Sequence, residues 1–226
     1  MIMSANKGTL VLLILWGLGT VTAFWYLEWQ YLRPVARPAG AAIAKPEQLP
    51  PSPLATLATA HGEIRLSGPV PVTLLNFWNP SCPCSRYMEA HVSRLAETFG
   101  PRGVRLLTVV ECGSSQEERV KALQTWKTRG YPAFTPIADP GSSIARAFGV
   151  WAAPAAVILN RKGQVVYVGA YNTARYCDNE QTAWAQLALK ATLDNRLPPY
   201  PKSPFYGCQV LATQNNLIFC VCQVSP

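Results

Sequence analysis

Residues 76–86 read N-F-W-N-P-S-C-P-C-S-R. An apolar run ends here and two cysteines flank one proline, in a chain with seven cysteines. The run, Val70 to Trp78, is short and free of charge, which predicts a buried strand. From Cys84 onward, Met88, Val92, Leu95 and Phe99 recur at three- and four-residue spacing, the signature of one helix face ended by Gly100 and Gly103. Cys82-Pro83-Cys84 thus falls where a strand hands over to a helix.

The pattern repeats downstream. Val104 to Val110 reads as a second buried strand. Residues 115–129 carry Val120, Leu123 and Trp126 at helical spacing, closed by Gly130. Phe134 to Ala138 is a brief strand and Ser142 to Phe148 a short helix. Ala155 to Asn160 and Gln164 to Gly169 form a hairpin about Arg161-Lys162-Gly163, and Asn179 to Asn195 is a last helix. The order βαβαβαββα predicts an α/β domain with a mostly parallel sheet, an antiparallel edge hairpin and flanking helices. In such sheets, sites gather beyond the C-terminal strand ends, which is where the two cysteines lie.

That position carries chemistry. A helix N-terminus exposes unpaired N–H groups and a partial positive charge, and both favour a thiolate. The thiolate is the nucleophile of disulfide exchange. Pro83 suits the first helical turn, where its missing N–H loses nothing. Cys82 is the expected exposed, attacking thiol. Positions i and i+2 do not face each other on a helix, so a Cys82–Cys84 disulfide requires an unwound first turn and is readily reduced. The competing reading makes both cysteines small packed hydrophobes.

Asn76-Phe77-Trp78 leading to Cys82, Ala138-Asp139-Pro140 before Ala147-Phe148-Gly149-Val150, Ala153-Pro154 before the strand Ala155 to Leu159, and Gly163 and Gly169 around the last strand make residues 56–195 resemble the thioredoxin-like superfamily. The likeness is to its redoxin branch, near the membrane-anchored thiol–disulfide oxidoreductases of cytochrome c maturation. The resemblance implies a thioredoxin-like fold, thiol–disulfide chemistry without a cofactor, and a cis-proline, Pro154, beside the redox cysteine. Three departures stand out. The family's C-x-x-C is replaced by C-P-C, with Ser85 in the fourth place. Asn76 stands where a buried acid is common, leaving Glu111, at the end of the second strand, as a candidate assisting base or an ordinary loop carboxylate. Asn79-Pro80-Ser81 lacks the threonine of peroxidase relatives. Cys112, on the same rim of the sheet, is the resolving candidate after Cys84, against a packed-thiol reading.

Structural disulfides are expected among Cys177, Cys208, Cys220 and Cys222 in an oxidising compartment, and an odd cysteine count leaves at least one thiol unpaired within the chain. Leu197 to Pro226 is proline-rich and is expected to cross the surface extended, with a last segment able to add an edge strand but no assigned chemistry.

The 226-residue chain is 49% hydrophobic and 14% charged, with net charge +8. Its basic residues are scattered singly, which argues against nucleic-acid binding. Thr9 to Tyr26 is uncharged and near the length a bilayer requires, with Trp25, Tyr26 and Trp29 at one end. A cleaved signal ending near Val21-Thr22-Ala23 is the alternative. Residues 28–55, rich in proline and alanine, read as a tether. The predicted organisation is a tail (1–8), a transmembrane anchor (9–27), a linker (28–55), a thioredoxin-like domain (56–197) and an extension (198–226). Arg33, Arg37 and Lys45 on the far side of the anchor oppose export by the positive-inside rule, but that rule weakens for long translocated domains. The expectation is a single-pass protein of a bacterial inner membrane, its C-terminal domain in the periplasm, acting on protein thiols or disulfides. Two alternatives stay open. One is a Cu(I)-binding or metallochaperone protein using Cys82, Cys84 and His91, since paired thiolates suit soft ions. The other is a non-catalytic assembly factor, favoured by the missing C-x-x-C.

Overall fold

The computed structural model describes residues 7–38, 51–59, 61–129 and 133–210. It divides into two compact units, Met1–Arg33 and Pro34–Pro226. In the first, helix α1 (Lys7–Leu32) is apolar on every side. Within it Lys7–Trp29 is long and apolar enough to cross a membrane, and Trp25 and Trp29 stack near its end with ring centroids 5.4 Å apart.

The second unit is built on a five-stranded sheet. β3 (Thr73–Trp78), β4 (Arg105–Cys112) and β5 (Thr135–Pro140) run parallel, in the order β5-β4-β3. β7 (Ala155–Leu159) then lies antiparallel to β3, and β8 (Val165–Gly169) antiparallel to β7 at the edge. β3 and β7 are buried along their whole length, as expected of central strands covered on both faces. The antiparallel part therefore extends one pairing beyond the hairpin predicted from sequence, to β3 itself.

Side-chain alternation sorts the core into two halves. Leu74 and Trp78 of β3 point to one face. There they pack with Met88, Val92, Leu95 and Phe99 of the cysteine-bearing helical segment, Ala122 and Trp126 of α4 (Gln116–Thr128), and Ala188 and Leu189 of α6 (Trp184–Leu193). Leu75 and Phe77 point to the other, against Leu57, Leu66, Phe205 and Ala145 of α5 (Ser143–Ala147). Leu57 belongs to β1 (Thr56–Thr59), which pairs with β2 (Gly62–Arg65) in a hairpin absent from the sequence-based prediction. α4 starts at a capping box: the Ser115 side chain accepts the Glu118 N–H while Glu118 reaches back to the Ser115 N–H. Its end falls at Thr128, and the predicted closing residue Gly130 lies outside the described residues. Val120 is exposed, so the apolar stripe of α4 is carried by Leu123 and Trp126 without it.

Both the expected tether and the extension are docked where they are described. The Val35 N–H donates to the Phe205 carbonyl (2.7 Å), and the Ser52 N–H to that of Gly163 (2.7 Å). Residues 39–50 of the expected tether lie outside the described residues. After residue 197 the chain runs beside β8, where the Ser203 N–H donates to the Val168 carbonyl (3.2 Å) and the Ala170 N–H to that of Pro204 (3.2 Å). Phe205 then packs on Trp151 with centroids 4.2 Å apart. The extension ends as β9 (Cys208–Gln209), antiparallel to β6 (Ala152–Ala153).

Leu75 has no exposed surface. Leu75→Ala is expected to lower stability by about 2–5 kcal/mol, because neighbouring backbone cannot collapse into the void. Val120→Ala is expected to change it by less than about 0.5 kcal/mol. Urea denaturation of the full chain, followed by tryptophan fluorescence, measures both.

Candidate functional site: a buried three-cysteine cluster

The chain leaves β3 at Trp78 and turns at once. The Asn79 side-chain oxygen accepts the Ser81 N–H (2.7 Å), and the Asn79 carbonyl accepts the Cys82 N–H (3.2 Å). Cys82 is the N-cap of α2 (Pro83–Tyr87), with extended backbone at φ −84° and ψ 118°, and proline opens the helix. This is the arrangement the sequence predicted for Pro83. The single helix expected from Cys84 to Phe99 is broken at Met88, after which α3 (Glu89–Phe99) continues.

Cys82 is disulfide-bonded to Cys208, with Cα atoms 5.9 Å apart and a separation of 126 positions in sequence. Two expectations are corrected here. Cys82 is fully buried rather than exposed. Cys208, expected only in a structural disulfide and not as a partner of Cys82, supplies that partner from the extension after residue 197. Cys84 completes the cluster: the sulfurs of Cys82, Cys84 and Cys208 all lie within 4.8 Å of one another, all buried. The Cys84 thiol donates to the Tyr176 hydroxyl at 3.7 Å.

Cys208 reaches Cys82 because β9 pairs with β6 immediately before Pro154. The Ala153–Pro154 bond is cis, and the Cys82 sulfur sits 3.4 Å from the Ala153 carbonyl oxygen. Gly207, at φ +130°, lets the strand come this close: a Cβ there would overlap the Ala153 carbonyl. The strand is pinned further on, where the Val210 N–H donates to the Trp151 carbonyl (2.9 Å) and the Ser142 hydroxyl to that of Val210 (2.9 Å). The signal in the sequence was Gly207-Cys208 itself, a residue free to adopt positive φ directly before a cysteine.

The other candidates are placed elsewhere. Cys112 ends β4 on the face covered by α3, α4 and α6, packed against that core half and not against Cys82. Burial there pushes its thiol above the usual range. Cys177 is partly buried and forms no disulfide with any described cysteine. Burial pushes its thiol up, but hydrogen bonds from the Asn179 backbone, Thr173 and Thr182 outweigh this and hold it below the usual value. Cys220 and Cys222 lie outside the described residues. His91 is buried, edge-on to Tyr171 at 5.9 Å, and is not among the ligand atoms grouped with Cys82 and Cys84. Burial lowers its pKa.

Asn76 lies in a neutral network, accepting from the Tyr171 hydroxyl (2.8 Å) and donating to that of Thr108 (3.3 Å). The acid of the site is Glu111. The Asn79 side-chain amide donates to its carboxylate at 2.6 Å, tying it to the loop that carries Cys82. Desolvation raises its pKa to about 8; the Asn79 bond opposes this, and Asp139, level with it on β5, adds to it. Asp139 itself caps α5, accepting the Ile144 and Ala145 N–H groups (2.8 and 3.0 Å).

A β3–helix junction bearing the cysteines, a cis-proline opening β7 and the β5-β4-β3-β7-β8 order define a thioredoxin-like fold. The chain belongs to the family described as "Domain of unknown function (DUF6436)", whose model matches residues 52–210. It is 29% identical over 113 residues to the "Thiol:disulfide interchange protein DsbE" of Tatumella citrea, covering 49% of this chain and 57% of that protein. It is 28% identical over 95 residues to the "Thiol-disulfide oxidoreductase ResA" of Halalkalibacterium halodurans, covering 42% and 51%. The chain thus spans about half the length of these curated relatives. In fold it is similar to a hypothetical protein of Sinorhizobium meliloti (TM-score 0.60, 21% identity, 74% of this chain and 96% of that one). It is equally similar to an uncharacterized conserved protein of Geobacillus kaustophilus (TM-score 0.59, 22% identity, 80% and 100%).

Two predictions follow from this geometry. The unfolded Glu111 sheds its proton near the ordinary value of 4.5, the folded one near 8. The folded state holds the extra proton between those values, so stability from this group is full below about 4.5 and is lost as pH rises through 8. Glu111→Gln is expected to flatten the fall in Tm between pH 5 and 8 and to leave the variant more stable than the parent at pH 8.5. Gly207→Ala is expected to displace β9 and open the Cys82–Cys208 bond to reductant, so that a dilute phosphine pulse followed by alkylation under native conditions labels Cys82 faster than in the parent.

Proposed function

We propose that this protein is a thiol–disulfide oxidoreductase whose redox pair is Cys82 and Cys208, held to a membrane by α1 and acting on protein thiols or disulfides on the exported, periplasmic side. The observation that carries the reading is the disulfide between the N-cap of α2 and the strand laid against Ala153-Pro154. It supplies the second sulfur that C-P-C lacks at the usual spacing, and this favours catalysis over a non-catalytic assembly factor. The names of the relatives support the same chemistry. The apolar span Lys7–Trp29 supports the anchor.

In the reductive direction the reduced protein presents Cys82 as thiolate. It is the N-cap residue of α2, and the partial positive charge of a helix start favours the anion. The thiolate attacks one sulfur of the substrate disulfide. A Cys82–substrate mixed disulfide forms and the other substrate sulfur leaves as thiolate, taking up a proton. Cys208, as thiolate, then attacks the Cys82 sulfur, expelling the second substrate thiol and restoring the Cys82–Cys208 bond. Two electrons pass to the substrate, and a dithiol reductant returns the protein to its starting state. The opposite direction runs the same steps backward. Glu111, which keeps its proton up to about pH 8 and is joined to the Cys82 loop through Asn79, is the assisting proton carrier in this reading. Pro154 shapes the groove in which the substrate strand lies once β9 has moved aside.

Cys82→Ser is expected to abolish insulin-disulfide reduction. Cys208→Ser is expected to keep the first attack and accumulate a mixed disulfide with insulin, visible as a mass adduct on non-reducing gels. Turnover at the parent rate in Cys82→Ser, or no adduct with Cys208→Ser, contradicts the assignment.

A further inference from the structure

The oxidoreductase reading uses two of three clustered sulfurs. The third, Cys84, is as buried as the first and stands within 4.8 Å of both members of the disulfide. Its position is set by backbone and not by chance collapse: Cys82 and Cys84 are the N-cap and second residue of α2, and β6–β9 pairing brings Cys208 across from the far end of the domain. Reduction of one covalent bond therefore leaves three thiols converging on one point. We propose that the reduced cluster Cys82, Cys84 and Cys208 is a Cu(I) site, formed when the disulfide opens and abolished when it closes.

The donor set selects the ion. Thiolates are soft ligands and favour Cu(I) over hard divalent ions. Zn(II) takes four protein ligands in structural sites, and among the described residues no further histidine, cysteine or carboxylate joins this group of three. Cu(I), a closed-shell ion content with three ligands, fits. His91, the third ligand expected from sequence, is replaced in this role by Cys208. The balance is simple. A dithiol reductant gives two electrons and two protons to the Cys82–Cys208 bond and leaves as its own disulfide. Cu(I) then displaces the thiol protons as it binds, with no change in its oxidation state. In the oxidised protein one thiol remains at the site, too few for a closed shell of sulfur. One side chain separates the cluster from solvent, since the Cys84 thiol meets the hydroxyl of the exposed Tyr176.

The test uses the full chain in detergent with Cys220→Ser and Cys222→Ser, so that the second C-x-C pair cannot compete. The protein is reduced chemically with a phosphine and titrated anaerobically with Cu(I) against bicinchoninate. One Cu(I) is expected, with a near-ultraviolet thiolate-to-metal band and three sulfur scatterers in X-ray absorption. The oxidised form of the same protein is expected to bind about 100-fold more weakly or worse, since losing ligands costs at least as much as losing an outer-shell partner. Cys84→Ser is expected to weaken binding to a similar degree while retaining the Cys82–Cys208 disulfide on peptide mapping; His91→Ala is expected to leave affinity unchanged. Equal affinity in the oxidised and reduced states, a preference for Zn(II), or loss of binding in His91→Ala overturns the proposal. Because reduction here is chemical, the result stands apart from insulin reduction, whose absence would count against the oxidoreductase reading alone.

Discussion

The site depends on two residues of backbone pairing. β9 against β6 is a very short ladder, yet it decides where the last described cysteine lies, what covers Cys82 and what occupies the edge beside Pro154. The pairing is possible because Gly207 has no side chain to meet the Ala153 carbonyl. It persists because Phe205 on one side and Val210 on the other are anchored to the half of the core that lies under α5. A covalent bond across such a ladder ties the end of the chain to the helix that opens after β3. The loop it closes is long, and cross-links of that kind take most of their stabilising effect from the unfolded state.

Beneath the sulfurs, the polar residues divide into two networks with different chemistry. Asn76, Tyr171 and Thr108 form a buried set of neutral partners joined by two hydrogen bonds. Such a set specifies geometry without carrying a charge. Glu111 is different. Burial and the nearby Asp139 hold its proton to about pH 8, so its charge changes within the range where thiols exchange. Glu111 thus reaches the cysteine loop from the neighbouring strand, through Asn79.

Much of the fold was legible in the sequence, because burial imposes period on the chain. Met88, Val92, Leu95 and Phe99 were readable as one face, and all four are buried in one half of the core. The uncharged run of β3 reads as a buried strand for the same reason, whereas β7, expected in an edge hairpin, lies inside the sheet against β3. What escaped lacks a period. The β1–β2 hairpin is short and half-exposed, and Val120 obeys helical spacing while facing solvent. The site was half legible. A cysteine at a strand–helix junction announces itself locally, but its partner lies 126 residues away and is brought there by a two-residue pairing and one glycine. Cys112 drew attention through nearness to the rim; alternation along β4 turns it to the opposite face from Glu111, into packed apolar surroundings.

The central claim is that Cys82 and Cys208 are the bonded pair of the native oxidised protein. Its most direct measurement is a disulfide map: native protein, thiols blocked before unfolding, digested without reduction and sequenced by mass spectrometry. A cross-linked peptide pair carrying Cys82 and Cys208 is expected, with Cys84 alkylated only once the chain is unfolded. A map that instead joins Cys82 to Cys84 or to Cys112 would contradict it.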